Sequence, residues 1–183
     1  MGRSLLAASI LAAGAVAAGL SAAQTPVAPG ELSFKAHNAV YQAEGRFESW
    51  RITKVDIPEG DLTKGTVEIE VDLGSVREKA DKLTAHLRTP DFLDVVAFSK
   101  ATISIGSVKL ASPKHYQATA TLELHGIKGS CPVAFEVISE KPLEIKGTAT
   151  LDRSAFKIGA PYDPADKYAP HNEVEIALAA KLQ

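Results

Sequence analysis

In GTVEIEVDL, residues 65–73, Val67, Ile69, Val71 and Leu73 alternate strictly with Glu68, Glu70 and Asp72. Successive side chains of a β-strand point to opposite faces, so this period of two describes a strand with one dry side and one wet side. The pattern returns in YQATATLEL, where Tyr116, Ala118, Ala120, Leu122 and Leu124 share one parity. It returns again in CPVAFEV, in LEIKGTATL and in EVEIALAAKL, the last through Val174, Ile176, Leu178, Ala180 and Leu182. Segments 33–41 and 44–57 alternate less cleanly, but Phe47, Trp50, Ile52 and Val55 favour strand there. Short strands separated by turn signals, with little helix elsewhere, predict an all-β antiparallel barrel or sandwich.

Two details refine that expectation. In ATISIGSVKL, Ile103 and Ile105 have one parity and Val108 and Leu110 the other, with Gly106 at the slip; a β-bulge there returns both pairs to one side. Pro132 is expected at the start of its strand, where a missing backbone donor is tolerated.

The middle of the chain breaks the alternation. SVREKADKLTAHL spaces Val76, Ala80, Leu83 and Leu87 as one face of an amphipathic helix, with Ser75 and Glu78 as a capping box at its start. Thr89-Pro90-Asp91 then repeats a helix-start signal, and a short helical turn carrying Phe92 and Leu93 should follow. The expected fold is therefore an antiparallel barrel of about eight strands with one inserted amphipathic helix and one short helical turn. Such a barrel can be filled by its own side chains or can hold one small ligand. The inward candidates Ala118, Ala120, Gly147, Ala149 and Ala180 are small. Either they leave room for a ligand, or they relieve crowding against Trp50, Phe47 and Phe135.

The first residues read as a targeting segment. Arg3 precedes the apolar run 5–20, and Ser21-Ala22-Ala23 offers a small-residue cleavage site, so residues 1–23 are expected to be a signal peptide removed before Gln24. An uncleaved anchor helix is the alternative, because about 20 apolar residues can span a bilayer. No later segment is long and apolar enough to span. QTPVAPG opens a flexible leader, residues 24–32, ahead of one domain over 33–183. The mature chain is thus expected in the periplasm or secreted. The net charge of −2 over the full sequence offers no footprint for nucleic acid or an anionic surface. With a single cysteine, Cys131, it has no intramolecular disulfide, and Cys131 reads as a small buried hydrophobe or, more sharply, a reactive thiol.

His37, His86, His115, His125 and His171 are scattered without metal-binding spacing, and YDPADKYAPHN lacks the ligand pattern and glycine of a calcium loop. There is no nucleophile elbow or phosphate loop, and Ser130-Cys131 near His125 reads as a hairpin entering a strand. The densest polar stretch is HLRTPDFLDV, residues 86–95. It reads as a lid: a capped turn with Arg88 three before Asp91 and so within reach of an ion pair, closing one barrel mouth with Leu87 and Phe92 facing in. The functional alternative is that His86 or Arg88 contacts the polar head of a ligand, Arg being suited to phosphate or carboxylate.

Three stretches, LTAHLRTPDFLDVVAFSKATI, ATLELHGIKGSCPVAFEV and GTATLDRSAFKIG, together resemble the YceI-like family of exported, lipocalin-like, polyisoprenoid-binding proteins. The likeness runs from about Phe34 to Leu182. It departs at Glu44, Arg46, Glu48 and Arg51, where many relatives are apolar, and at Lys157, where the family usually has Gly. The resemblance implies a barrel that binds an amphiphilic, isoprenoid-type chain, a polyprenyl lipid, isoprenoid quinone or fatty-acid derivative, as carrier or store. With the alternation and the small inner residues, it puts Trp50, Leu83, Leu87, Phe92, Ile103, Ile105, Leu122, Leu124, Phe135 and Phe156 on the ligand, with His86 and Arg88 as head-group contacts. No catalytic residue, metal or cofactor other than a bound lipid or quinone is expected. Partners are the lipid and, as an option, a second copy in a homodimer. The rivals are an enzyme acting on a lipid-like substrate through His86, Arg88 and Asp91, and a surface-interaction protein with a filled barrel.

Overall fold

A computed structural model describes residues 30–159 and 165–182. The signal-peptide and cleavage-site expectations, most of the leader and Asp163 lie outside the described residues. Ten strands form one antiparallel sheet: β1 (Gly30–His37), β2 (Gln42–Phe47), β3 (Trp50–Asp56), β4 (Thr66–Asp72), β5 (Val76–Glu78), β6 (Lys100–Ser112), β7 (His115–Leu124), β8 (Ile127–Glu140), β9 (Leu143–Asp152) and β10 (Glu173–Leu182). One helix, α1 (Asp81–Leu87), follows β5. The first strand already takes in residues 30–32, assigned to the leader from sequence.

The sheet order β3-β4-β6-β7-β8-β9-β10-β1-β2-β5 explains why ten segments stand where about eight were expected. β2 and β3 follow one another across Glu48 and Ser49 and do not pair with each other; β4 and β5 follow one another across the single turn Leu73–Ser75. β5 pairs with β2, Phe47 opposite Val76, and β4 with β3, Trp50 opposite Val71. Between them the Glu48 N–H donates to the Ser75 carbonyl (3.2 Å) and the Asp72 N–H to the Ser49 carbonyl (3.0 Å). Two long bent strands thus run side by side, each counted twice because of its kink. Since β2 also pairs with β1, the bent strand curls the sheet round a common interior.

That interior collects the inward parity of every strand. Ala118, Ala120, Leu122, Leu124, Val137, Ile145, Leu151 and Ala180 are buried. The bulge forms as expected: the β6–β7 register shifts between Gly106 and Lys109, with Ser107 at φ 53°. Val108 turns inward and Leu110, opposite Tyr116, lies exposed at the rim.

Three local expectations are corrected. The helix begins at Asp81, not Ser75, and Ala80 at its N-cap has no side-chain cap. Val76 is fully buried opposite Phe47, a packing gain available to the strand and not to an exposed helix turn. Ser75 Oγ serves the kink, accepting from the Ser49 N–H (3.0 Å) and donating to the Asp72 carbonyl (2.6 Å), so no capping box forms. After α1 there are two hydrogen-bonded turns rather than a helical turn: the N–H groups of Phe92 and Asp94 donate to the Thr89 carbonyl, and those of Ala97 and Phe98 to the Asp94 carbonyl. Pro132 is inside β8, not at its start. It is tolerated because the β8–β9 ladder ends beside it, at Val133 opposite Ala149.

The registers also sort the connections into two ends. At one, here the cap end, lie the β1–β2 turn, residues 73–99, the β7–β8 turn and the link from β9 to β10. At the far end lie both termini of the described barrel, the 57–65 loop and the β6–β7 and β8–β9 turns.

Candidate functional site

Small inward residues in the middle of the sheet leave space that larger neighbours at either end do not fill. Two apolar chambers result. The far chamber, about 100 Å³, lies between Ile57, Leu62, Val108, Phe135 and Ile145, with Ala120, Gly147, Ala149 and Ala180 in its wall. The cap chamber, about 160 Å³, lies between Phe34, Phe47, Leu87, Phe92 and Ile158. Leu32, Ile103, Leu122, Leu151 and Ile176 line both, so the chambers adjoin. Apolar cavities of roughly 150 Å³ stay dry and take up guests the size of benzene, so each chamber suits a segment of hydrocarbon chain.

The cap chamber is closed by HLRTPDFLDV together with the chain on either side of the β9–β10 link. Arg153, the third residue of LDRSAF, is buried and gathers this cap. Its Nε donates to the His171 carbonyl (2.8 Å), its Nη1 to the carbonyls of Ile158 (2.6 Å) and Gly159 (2.9 Å), and its Nη2 to the Pro170 carbonyl. The planar guanidinium fork can hold several carbonyls at once, which a lysine cannot do. Gly159 then joins the two halves of the cap: its N–H donates to the Asp91 carbonyl (2.7 Å), and it packs so closely on the Phe92 ring that a Cβ would lie 3.0 Å from it. Its φ of 67° is a second reason for glycine. Nearby, Lys157 adopts φ 56°, the left-handed conformation that glycine takes without steric cost.

On the other side of the cap, Glu78 ties the start of α1 to the β1–β2 turn. Its carboxylate accepts from the Tyr41 hydroxyl (2.8 Å) and the Ala80 N–H (2.5 Å). Burial works against the charge, yet these bonds hold its pKa below the ordinary value, while the bond to Glu78 raises that of Tyr41. Thr84 Oγ1 completes the tie by accepting from the Glu78 N–H (2.9 Å).

Of the residues expected to contact a ligand, Ile103 and Leu122 line both chambers, Ile105 and Phe135 the far one, and Leu87, Phe92 and Leu124 the cap one. Trp50, Leu83 and Phe156 line neither. Trp50 and Phe156 are core residues, each 2 % exposed, and Leu83 is half-buried on α1. His86 is exposed with its ring edge-on to Phe92, centroids 4.7 Å apart. Arg88 does not pair with Asp91; it spans instead to the Val76 carbonyl (3.2 Å), and its Nε is buried without a partner. The strand kink places that carbonyl within reach, which helical spacing could not foresee. Leu32, Phe34, Leu151, Ile176 and Arg153 were missed from sequence. Parity already marked Ile176, while Arg153 carried no period-two signal because it stands just after β9.

The chemistry on offer is sequestration of apolar surface. Cys131, in the wall of the far chamber, has its thiol pKa pushed up by burial and acts as a small hydrophobe. Among the described residues no group of three or more His, Cys, Asp or Glu is placed to hold a metal ion, and no helix is long and apolar enough to cross a membrane.

Comparison with known proteins gives a consistent fold. A family sequence model described as the YceI-like domain matches residues 24–182. Burkholderia cenocepacia BcnA superimposes with a TM-score of 0.75 at 19% identity, over 84% of this chain and 96% of that one. A Campylobacter jejuni YceI protein gives 0.64 at 15% identity, over 80% and 89% of the two chains. A polyisoprenoid-binding domain from Saccharophagus degradans, implicated in plant cell wall breakdown, gives 0.58 at 18% identity, over 84% and 92%. No functionally curated protein sequence matches the chain.

Proposed function

The chain belongs to the YceI-like family, and from that premise we propose that it is an exported lipid-binding protein that holds an isoprenoid-type or similar amphiphilic chain inside its barrel, as carrier or store. The observation that carries this reading is the interior: two adjoining apolar chambers lined by aliphatic and aromatic side chains, with Leu122 and Ile103 in the wall of both. Two adjoining chambers arranged from one end of the barrel to the other suit a linear hydrocarbon chain. Each apolar Å² removed from water contributes about 25 cal/mol, so even a partly inserted chain is held firmly. A polyisoprenoid is the ligand named for the Saccharophagus degradans domain, and it has the required linear shape.

The reading is of binding rather than turnover. His86, Arg88 and Asp91 line neither chamber, and Arg88 is engaged with the Val76 carbonyl. The Ser21-Ala22-Ala23 site after the apolar run supports export, with the mature domain in the periplasm or medium. The test is native mass spectrometry of the purified protein, followed by organic extraction of whatever is bound. A stoichiometric isoprenoid, quinone or fatty-acid species is the expected result. A protein that emerges empty and takes up no added polyprenyl lipid overturns the proposal.

A further inference from the structure

The two ends of the barrel are closed by different means. At the cap end, bonds run between separate segments: Arg153 to the carbonyls of Ile158, Gly159, Pro170 and His171, the Gly159 N–H to the Asp91 carbonyl, and the Tyr41 hydroxyl to Glu78. At the far end lies the 57–65 loop, and among the described residues its hydrogen bonds and ion pairs stay within it. The Gly60 and Asp61 N–H groups donate to the Ile57 and Pro58 carbonyls, and those of Lys64 and Gly65 to the Asp61 and Leu62 carbonyls. Lys64 pairs with Glu59 and Asp61. What seats the loop is apolar: Ile57 and Leu62 are half-buried and stand in the wall of the far chamber.

The sheet is also least complete beside this loop. β3, which leads into it, pairs with β4 alone among the described residues. The β1–β2 ladder stops at Ser33 opposite Arg46, before the kink at residues 48–49 turns the chain into β3. One edge of β3 is therefore without a strand partner among the described residues, and Ile52 on β3 and Leu32 on β1 both line the far chamber. Inside, a polar head would find no partner. The wall of the far chamber is apolar apart from Thr148, whose side chain is exposed, and that of the cap chamber apart from Arg153, whose guanidinium is committed to the cap carbonyls. Burying a polar or charged head without partners is costly, whereas burying the tail is favourable.

We propose that the lipid enters tail first at the far mouth, between β3 and the 57–65 loop, and that its polar head stays there while the tail runs past Ile103 and Leu122 into the cap chamber. This rests on the lipid-binding reading and gives the bound chain a direction. It places the head at the end opposite His86 and Arg88, and it makes the cap a floor rather than a door.

The test uses the full wild-type chain and a long polyprenyl alcohol esterified at its oxygen with a small diazirine acid. After uptake the complex is irradiated and the labelled peptides are mapped by mass spectrometry. Labels should fall in residues 57–65 and in the β6–β7 and β8–β9 turns beside them. Labels in residues 78–98 or 153–172, labels at both ends alike, or a bound probe that labels neither end overturns the proposal. A second measurement reads the path itself. Ile57→Ala combined with Leu62→Ala should raise the rates of both uptake and release by roughly tenfold, with the dissociation constant moving less than either rate, because a group at the entrance obstructs passage in both directions. Unchanged rates refute the entrance. A probe bound with its head at the cap refutes the direction alone, whereas a wild-type protein that takes up no polyprenyl probe refutes lipid binding itself.

Discussion

The strand wall around the far chamber and the cap over the other are held by different forces. The wall from β6 to β10 is built from neighbours in sequence: β6 pairs with β7, β7 with β8, β8 with β9 and β9 with β10, each across a short turn except the last. Its inner face is apolar by simple alternation. The cap brings together residues from 41 to 171 through a few polar anchors, chiefly Arg153 and Glu78, with little regular structure of its own. The wall is thus a repeated local solution, in which many weak contacts share the burden, while the cap concentrates its stability in single groups.

The largest effect expected from this contrast is at Arg153. Arg153→Ala leaves the carbonyls of Ile158, Gly159, Pro170 and His171 without their donor, and the loss should be about 3–5 kcal/mol by denaturant titration. Arg153→Lys should recover only a minor part, because one ammonium cannot reach the same set. If either variant is as stable as the parent, the cap does not depend on one residue and the comparison fails.

A change in the wall should act the other way, on binding more than on folding. Ala120→Phe fills the far chamber, and overpacking of this kind costs about 1–3 kcal/mol. The protein should remain folded by circular dichroism yet lose most uptake of long polyprenyl chains. Undiminished uptake would mean that the cargo lies in the cap chamber alone.

Smaller still is relief of the left-handed backbone at Lys157. Lys157→Gly should stabilise the protein by up to about 1 kcal/mol, read as a higher melting temperature. The smallest effect is local and pH-dependent. Glu78 has a lowered folded pKa, so its contribution is complete above the ordinary carboxylate value of 4.5 and is lost as pH falls through the lower folded value. Exchange of the Ala80 amide should therefore rise relative to the strand amides in that acid window, and a uniform response across the molecule would contradict the assignment.

Several features could be read without coordinates because they follow from neighbours along the chain. The parity of Leu122 and Leu124 sets their face, and Gly106 marks the bulge. What escaped notice depended on distant partners. Trp50 is among the residues expected on the ligand; its position beside the kink, opposite Val71, is buried in the core and in the wall of neither chamber. Arg88 had a spacing suited to Asp91, and the strand Val76–Glu78 offered it a carbonyl instead.

The amino-acid sequence by itself determined an antiparallel β protein with an apolar inner face, small residues at its centre and an irregular insert. Period-two alternation acts through side-chain direction, which needs no partner to be specified. Only the tertiary structure decided that residues 76–78 join the sheet rather than α1, that two paired strands kink side by side, and that Arg153 draws the cap together. Those choices turn on which long-range contact buries Val76 or satisfies a carbonyl best, a competition that no local pattern records.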